Sequence, residues 1–176
     1  MRVDATTAEC RILTYKEGLL SAVAHDLELR VTTFTIGIDE TTWRVDARFD
    51  PTSLRVVGAV RNGVVDPDTL SESDRRTIED TIVRDVLDAA RHPEILFVSE
   101  AATGRGDVLA VHGRLDLHGH TRDLTATARR EGPAWVADAR LHQPDFGIRP
   151  YSAMLGTLRV RADVAVRITI PLPMEG

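Results

Sequence analysis

Alternation of apolar and polar side chains runs through most of this chain. It is most regular over residues 108–127, VLAVHGRLDLHGHTRDLTAT. Leu109, Val111, Gly113, Leu115 and Leu117 fall on one face, and His112, Arg114, Asp116 and His118 on the other. Leu124, Ala126 and Ala128 then oppose Asp123, Thr125 and Thr127. A period of two over this length predicts half-buried β-strands, here the arms of a hairpin. A two-residue type II′ turn at Gly119-His120 suits the glycine. Its even count pairs Leu115 with Leu124, Gly113 with Ala126 and Val111 with Ala128, with both apolar faces on the same side.

The same period recurs elsewhere. Residues 9–16 predict a first strand, and residues 18–25 a short helix or turn ending at His25-Asp26. Leu27, Leu29 and Val31 occupy odd positions, whereas Phe34, Ile36 and Ile38 occupy even ones. One straight strand cannot keep both sets on one face, so a bulge or bend is expected at Thr32-Thr33. Trp43, Val45, Ala47 and Phe49 alternate, as do Leu54, Val56, Gly58 and Val60. Four-residue loops would join these strands into an antiparallel meander, with Ile36 facing Val45 and Val45 facing Gly58.

Residues 72–90 switch to helical spacing, with Ile78, Ile82, Val83, Val86 and Leu87 on one stripe. Ser71 and Asp74 are spaced as an N-terminal cap, and Pro93 closes the segment. After EILFVSEAA and the hairpin come WVADARLH and TLRVRADVAVRITI, the last reading as the longest strand. Its residues Leu158, Val160, Ala162, Val164, Val166, Ile168 and Ile170 share one face. The predicted class is all-β: a closed antiparallel barrel of about eight strands, or a sandwich, with one longer helix.

Composition narrows the possibilities. The chain has 176 residues, which suits a single domain over 1–176; 28% are charged and 43% hydrophobic, as in a soluble globular protein. The net charge of −5, with no basic block, argues against nucleic acid as the main partner. With one cysteine, Cys10, neither an intramolecular disulfide nor a cysteine metal site can form. The start MRVDATTAECR has no apolar core of a secretory signal, and no apolar run approaches the length of a membrane span. A cytoplasmic location is the resulting expectation. The oligomeric state is open, a homodimer included.

A further turn at residues 131–134 would set Ala128 opposite Ala137 and Ala126 opposite Ala139. The inward rows then read Leu115–Leu124–Leu141, Gly113–Ala126–Ala139 and Val111–Ala128–Ala137. The middle row has almost no side chain, and Gly58 adds a second gap. A small barrel is either just filled by its side chains or holds one small ligand, and both outcomes stay open here. Trp43, Phe49, Phe97 and Trp135 are available to fill the gap.

Several blocks in order resemble YceI-like proteins: HDLELRVTTF, VLDAARHPEILFVSE, VHGRLDLHGHTRDLT and QPDFGIRPYSAMLGTLRV. The likeness spans roughly residues 9–171, and residues 147–155 (GIRPYSAML) resemble an actinobacterial type of member. The resemblance implies a closed, extended lipocalin-like barrel with a helix over one side. It also implies an apolar lumen holding a polyisoprenoid, an isoprenoid quinone precursor or a fatty-chain lipid, without enzymatic activity or a resident cofactor. The expected lining is Phe34, Ile36, Val45, Phe49, Val56, Phe97, Gly113, Leu115, Leu124, Ala126, Ala139, Leu141 and Phe146, with His25, Arg149 and Tyr151 as polar groups at the mouth.

His118 and His120 form an H-x-H pair that could bind zinc, with Asp116 and His112 on the same outer face. Their place at a turn favours plain exposed histidines. His25-Asp26 could act as an oriented imidazole at a barrel mouth, or simply as a turn pair. An enzyme or metal-binding stress protein built on these two pairs is the alternative function. A partner-binding module is a third reading, but the charged helix face (Asp74, Arg75, Glu79, Asp80, Arg84, Asp85, Asp88) suits solvent better than an interface. His92 before Pro93 reads as a helix-end residue. Ser152 lacks the G-x-S-x-G setting of a hydrolase, and Cys10 reads as a small core residue.

Overall fold

The computed structural model describes residues 1–17, 25–153 and 158–172, so the short helix or turn expected over 18–25 lies almost wholly outside the described residues. The strands are β1 (Arg2–Asp4), β2 (Glu9–Thr14), β3 (Lys16–Glu17), β4 (Asp26–Val31), β5 (Phe34–Asp39), β6 (Arg44–Phe49), β7 (Leu54–Arg61) and β8 (Val64–Asp66). The helix α1 (Glu72–Thr81) continues as one turn of π-helix, Ile82–Val86. Then come β9 (Ile95–Arg105), β10 (Val108–Leu117), β11 (His120–Glu131), β12 (Ala134–His142), a 3₁₀ turn (Gln143–Phe146), β13 (Ser152–Ala153), β14 (Leu158–Val160) and β15 (Asp163–Pro171).

Among the described residues, twelve strands form one antiparallel sheet in the order β1-β5-β6-β9-β10-β11-β12-β15-β2-β4-β7-β8, and β13-β14-β3 form a small second sheet. The large sheet is strongly curled but open. This corrects the expected closed barrel of eight strands. The cause lies at the expected bend. β4 stops at Val31 and β5 starts at Phe34, and the two strands go to opposite ends of the sheet. A second bend, the 3₁₀ turn Pro51–Ser53 capped by Asp50, does the same for β6 and β7. The two bends bond to each other. Thr32 donates its backbone N–H (3.1 Å) and its hydroxyl (2.8 Å) to the Ser53 carbonyl, Thr33 N–H donates to Ser53 Oγ (3.0 Å), and Asp50 N–H donates to the Thr33 carbonyl (3.0 Å).

The expected meander is therefore overturned. Chain turning at Pro51–Ser53 takes β7 away from β6, so β6 pairs with β9 and β7 with β4. Val45 does not face Gly58, and within the β5–β6 hairpin Ile36 faces Ala47 while Val45 faces Ile38. Gly58 leaves no gap either. A Cβ there would lie 2.7 Å from the Asp66 carbonyl oxygen, because the backbone leading out of β8 fills the space.

The helix lies against the open edge. Its capping box is formed as expected: Ser71 Oγ accepts from Asp74 N–H (3.1 Å) while the Asp74 carboxylate accepts from Ser71 N–H (3.2 Å). Such a cap is worth about 1 kcal/mol. The helical segment ends at Val86 instead of continuing to 90, since Asp88 takes a left-handed conformation (φ 43°) well before Pro93 is reached. Glu79 uses its carboxylate to accept the Val56 N–H at 2.7 Å, occupying a backbone donor of β7. Ile78, Ile82 and Leu87 pack on Leu29, Leu54 and Val56 beneath the helix.

The hairpin turn falls one residue earlier than expected. His118 and Gly119 are its central residues, both left-handed (φ 54° and 72°), as a type I′ turn requires. The register moves by two: Leu115 faces Arg122, Gly113 faces Leu124 and Val111 faces Ala126. A shift of two keeps every side chain on its expected side. The next pairing, Ala128 with Ala137, is as expected, but the β11–β12 ladder ends at Thr127–Asp138, short of Ala126 and Ala139. The last strand is not continuous; it divides at residues 161–162 into β14, which joins the small sheet, and β15.

Outward positions of the sheet carry charge. On β12, Asp138 accepts Arg167 of β15 (Nε, 2.7 Å) and Arg129 of β11 (Nη1, 2.7 Å), tying three neighbouring strands together. Burial pulls this carboxyl up, but the bonds from Arg167 and Arg129 outweigh it and hold the pKa below the ordinary carboxylate value. The stabilisation is complete above the unfolded value of about 3.9 and is lost as pH falls through the lower folded value. Asp138→Asn should cost roughly 1 kcal/mol at pH 7. Thermal melts against pH should show that difference shrinking below about pH 4; a constant difference down to low pH would be the contrary result.

Candidate functional site: an apolar cavity inside the curled sheet

The inner face of the sheet, with α1 as lid, encloses a cavity of about 820 Å³. Ligand pockets commonly measure about 300–1,000 Å³. Alternation makes the lining apolar: each strand that curls around the space sends every second residue inward, and those are the Val, Ile, Leu and Ala positions. Ile12 of β2, Leu27 and Leu29 of β4, Val111 of β10 and Val164, Val166, Ile168 and Ile170 of β15 all face it. From the helical segment come Ile78, Ile82, Val86 and Leu87.

Of the residues expected to line the lumen, Ile36, Val45, Phe49, Phe97, Leu115, Leu124, Ala126, Ala139 and Leu141 do so, and His25 and Tyr151 border it. Five do not. Phe34 and Val56 are buried in packing around the bends and under the helix, Phe34 with its ring centroid 5.8 Å from that of Phe49. Phe146 is buried beside a separate cavity of about 240 Å³, with which the main one shares only Leu124 and Leu141 as walls. Arg149 is exposed and lies off the cavity.

Gly113 is the fifth. The ladder between β9 and β10 shifts register at His112/Gly113, and the backbones crowd there. A Cβ on Gly113 would lie 2.4 Å from the Val98 carbonyl oxygen and 2.7 Å from Phe97 Cζ. The neighbouring Phe97 thus fills the gap that the sequence leaves. The row Gly113–Ala126–Ala139 is broken, and only its two alanines contribute open space.

Polar side chains among the described residues gather at one limit of the cavity, while Glu40, Asp50, Thr77 and Thr81 touch it singly elsewhere. Thr14, Lys16, His25, Gln143, Tyr151 and Arg159 border it where β15 begins. At the other limit of β15, beside Ile170, Trp135 meets Trp43 edge-on (centroids 5.7 Å, 60°). The six residue steps from Val164 to Ile170 span about 20 Å of strand. The sequence offered the two tryptophans only as fillers of the gap, and it did not place Lys16 or Arg159 on the lining. Their inward parity was visible for the tryptophans; for Lys16 and Arg159 the small sheet β13-β14-β3 makes the rim, and no local periodicity announces it.

The histidine pairs take structural parts. Asp26 accepts the Lys16 backbone N–H (Oδ1, 2.7 Å) and so fastens the rim. His118 Nδ1 bonds the Phe146 carbonyl oxygen (3.2 Å), and His120 Nδ1 bonds the His118 carbonyl oxygen (3.0 Å). The rings of His92 and His118 meet at a tilt of 50° with centroids 4.6 Å apart. His112 is exposed between Thr103 and Thr125 hydroxyls. Among the described residues, no three His, Cys, Asp or Glu side chains converge as metal ligands. Cys10 is 2% exposed and faces the cavity; burial, with Glu9 nearby, pushes its pKa up to about 12.

An open, curled antiparallel sheet around an apolar space, with charged residues outside, defines a lipocalin-like class of fold. It inverts the pattern of a membrane-spanning barrel, whose apolar band faces outward. Among the described residues, no helix is long and apolar enough to cross a membrane. The YceI-like domain model matches residues 6–172, and the chain belongs to that family. Burkholderia cenocepacia BcnA is similar at a TM-score of 0.62 and 16% identity, over 96% of this chain and 98% of that one. A polyisoprenoid-binding domain from Saccharophagus degradans is similar at 0.57 and 13%, over 94% of each chain. The Campylobacter jejuni YceI protein is similar at 0.58 and 12%, over 81% of each. No curated protein matches the sequence.

Two measurements check this geometry. Gly113→Ala should destabilise the protein by about 1–3 kcal/mol, since backbone must move to admit the methyl; a chemical-denaturation midpoint equal to wild type would refute the crowding. Native Cys10 should resist iodoacetamide at pH 8, where a pKa of about 12 leaves roughly one thiolate in ten thousand. Reaction should become complete only on unfolding.

Proposed function

We propose that this protein binds one long apolar ligand in the cavity, without catalysis, to carry or store it. The ligand class is a polyisoprenoid, an isoprenoid quinone precursor or a fatty-chain lipid. The observation that carries this reading is the apolar space of about 820 Å³ left open along the inner face of the sheet. Membership of the YceI-like family and the polyisoprenoid-binding domain among the structural relatives support it.

The energetics suffice. Burying a methylene contributes about 0.8 kcal/mol, so a tail of ~15 carbons gains about 12 kcal/mol before ordering costs. Micromolar affinity needs about 8 kcal/mol net. Apolar contact alone can therefore hold a chain, while polar groups at the rim orient it.

Native mass spectrometry of gently purified protein should show one bound lipid, or uptake of one added long-chain prenol or fatty alcohol. Absence of both would overturn the reading. Ala126→Phe and Ala139→Phe should each lower uptake at least tenfold, while far-UV circular dichroism stays as in wild type. Unchanged uptake in both would show that the ligand lies elsewhere.

A further inference from the structure

The limit of the cavity opposite the gathered polar side chains is crossed by a pair of tryptophans. We propose that Trp43 and Trp135 form a stop that limits the ligand's tail to about four isoprene units, roughly sixteen chain carbons. This rests on the cavity being the ligand site.

The two rings come from distant parts of the sheet. Trp43 ends the turn between β5 and β6, and Trp135 stands near the start of β12. Between β6 and β12 lie β9, β10 and β11, so in a flat sheet the two strands would sit about 19 Å apart. The ring centroids are 5.7 Å apart, edge to face at 60°. The pair therefore meets across the curl, next to Ile170, the partner of Trp135 in β15. Both rings border the cavity, and Trp43 is 38% exposed, so its ring stands between lumen and solvent.

The backbone of Trp43 is strained to reach this place. Its φ of 56° is left-handed, a conformation that suits glycine or asparagine and not a bulky side chain. The turn imposes it. Trp43 N–H donates to the Asp39 carbonyl oxygen (2.7 Å), and Asp39 Oδ1 accepts the N–H groups of Thr41 (2.9 Å) and Thr42 (3.2 Å). From the neighbouring strand end, the Met1 ammonium donates to the Ile38 carbonyl oxygen (2.7 Å) and pairs with Glu40 (3.1 Å). Strain of this kind persists where the surroundings over-determine it, and it concentrates at ligand clamps. What it achieves here is the contact with Trp135.

The lumen's length sets the limit on the tail. From Val164, near the gathered polar groups, to Ile170, beside the tryptophans, the strand spans about 20 Å. Single bonds of about 1.5 Å meeting at about 111° advance an extended chain by about 1.25 Å per carbon, so about sixteen carbons, or four isoprene units, fill that length. Volume sets the ceiling for a folded tail. With a methylene taken at the size of a water molecule, ~30 Å³, the 820 Å³ cavity holds roughly 27 carbons. A tail of nine units exceeds both limits and can enter fully only by parting the rings.

The test offers the full chain an equimolar mixture of geranylgeraniol (four units) and solanesol (nine units), read by native mass spectrometry. Wild type should take up geranylgeraniol at least about tenfold more than solanesol. Trp43→Gly removes one ring and suits the left-handed turn; Trp135→Ala removes the other. Each should raise solanesol uptake at least about tenfold and bring the ratio of the two prenols within about threefold. Far-UV circular dichroism as in wild type shows that the variants are folded. Equal uptake of the two prenols by wild type, or a preference that survives both variants, overturns this inference and leaves the apolar-ligand reading standing. Loss of geranylgeraniol uptake in both variants would make the pair structural and overturns it as well. Uptake of neither prenol by wild type overturns both readings.

Discussion

The open edge of β7 is the constraint on which the rest of this structure depends. A curled sheet that does not close leaves backbone donors without strand partners, and a buried donor without a partner costs about 1–3 kcal/mol. Here β8 pairs with the far part of β7, and Glu79 of the helix takes the Val56 N–H. The helix that satisfies the edge also turns Ile78, Ile82 and Leu87 toward the space within. Edge protection and lid formation are thus one packing event. The space stays open because the helix rests across the edge, where a further strand would have drawn the walls together.

The corner at Thr32-Thr33 and Pro51–Ser53 is the other half of this arrangement. It bends one two-stranded ribbon so that β5 and β6 serve one end of the sheet while β4 and β7 serve the other. Ser53, 5% exposed, satisfies both bends with its hydroxyl and carbonyl. The ends of a twelve-stranded sheet are thereby held together at one point and spread apart elsewhere. A cavity wide enough for a chain follows from that geometry, given inward residues no larger than Leu and Phe over most of the wall.

Much of this was legible in the chain. Parity of the alternating residues placed Ile36, Val45, Phe49, Leu115, Leu124, Ala126, Ala139 and Leu141 on the inner side, and an error of two in register left that placement intact, because facing depends only on parity. The parity change at residues 32–33 and the Ser71–Asp74 cap were equally plain, being local. The errors share a cause. Gly113 looked like empty volume because its neighbour Phe97 belongs to another strand. Arg149 looked like a mouth residue because it follows a loop near the end of the barrel, and loop direction is not written in periodicity. Lys16 and Arg159 were missed because only the pairing of two very short strands, distant in sequence, brings them to the rim.

The sequence by itself determined that the chain is built of alternating strands with one capped helix, which side of each strand is apolar, and which family it belongs to. The first two follow from short-range chemistry, side-chain period, turn residues and capping; the family follows from the likeness of sequence blocks in order. Only the tertiary structure decided the order of the strands, the open seam, the helix as lid, and the gathering of Thr14, Lys16, His25, Gln143, Tyr151 and Arg159 at one limit of the cavity. Those depend on which backbone edges meet, and edges present the same donors and acceptors whatever their side chains. Strand order is therefore chosen by the packing of the whole sheet, and the cavity appears only once that choice is made.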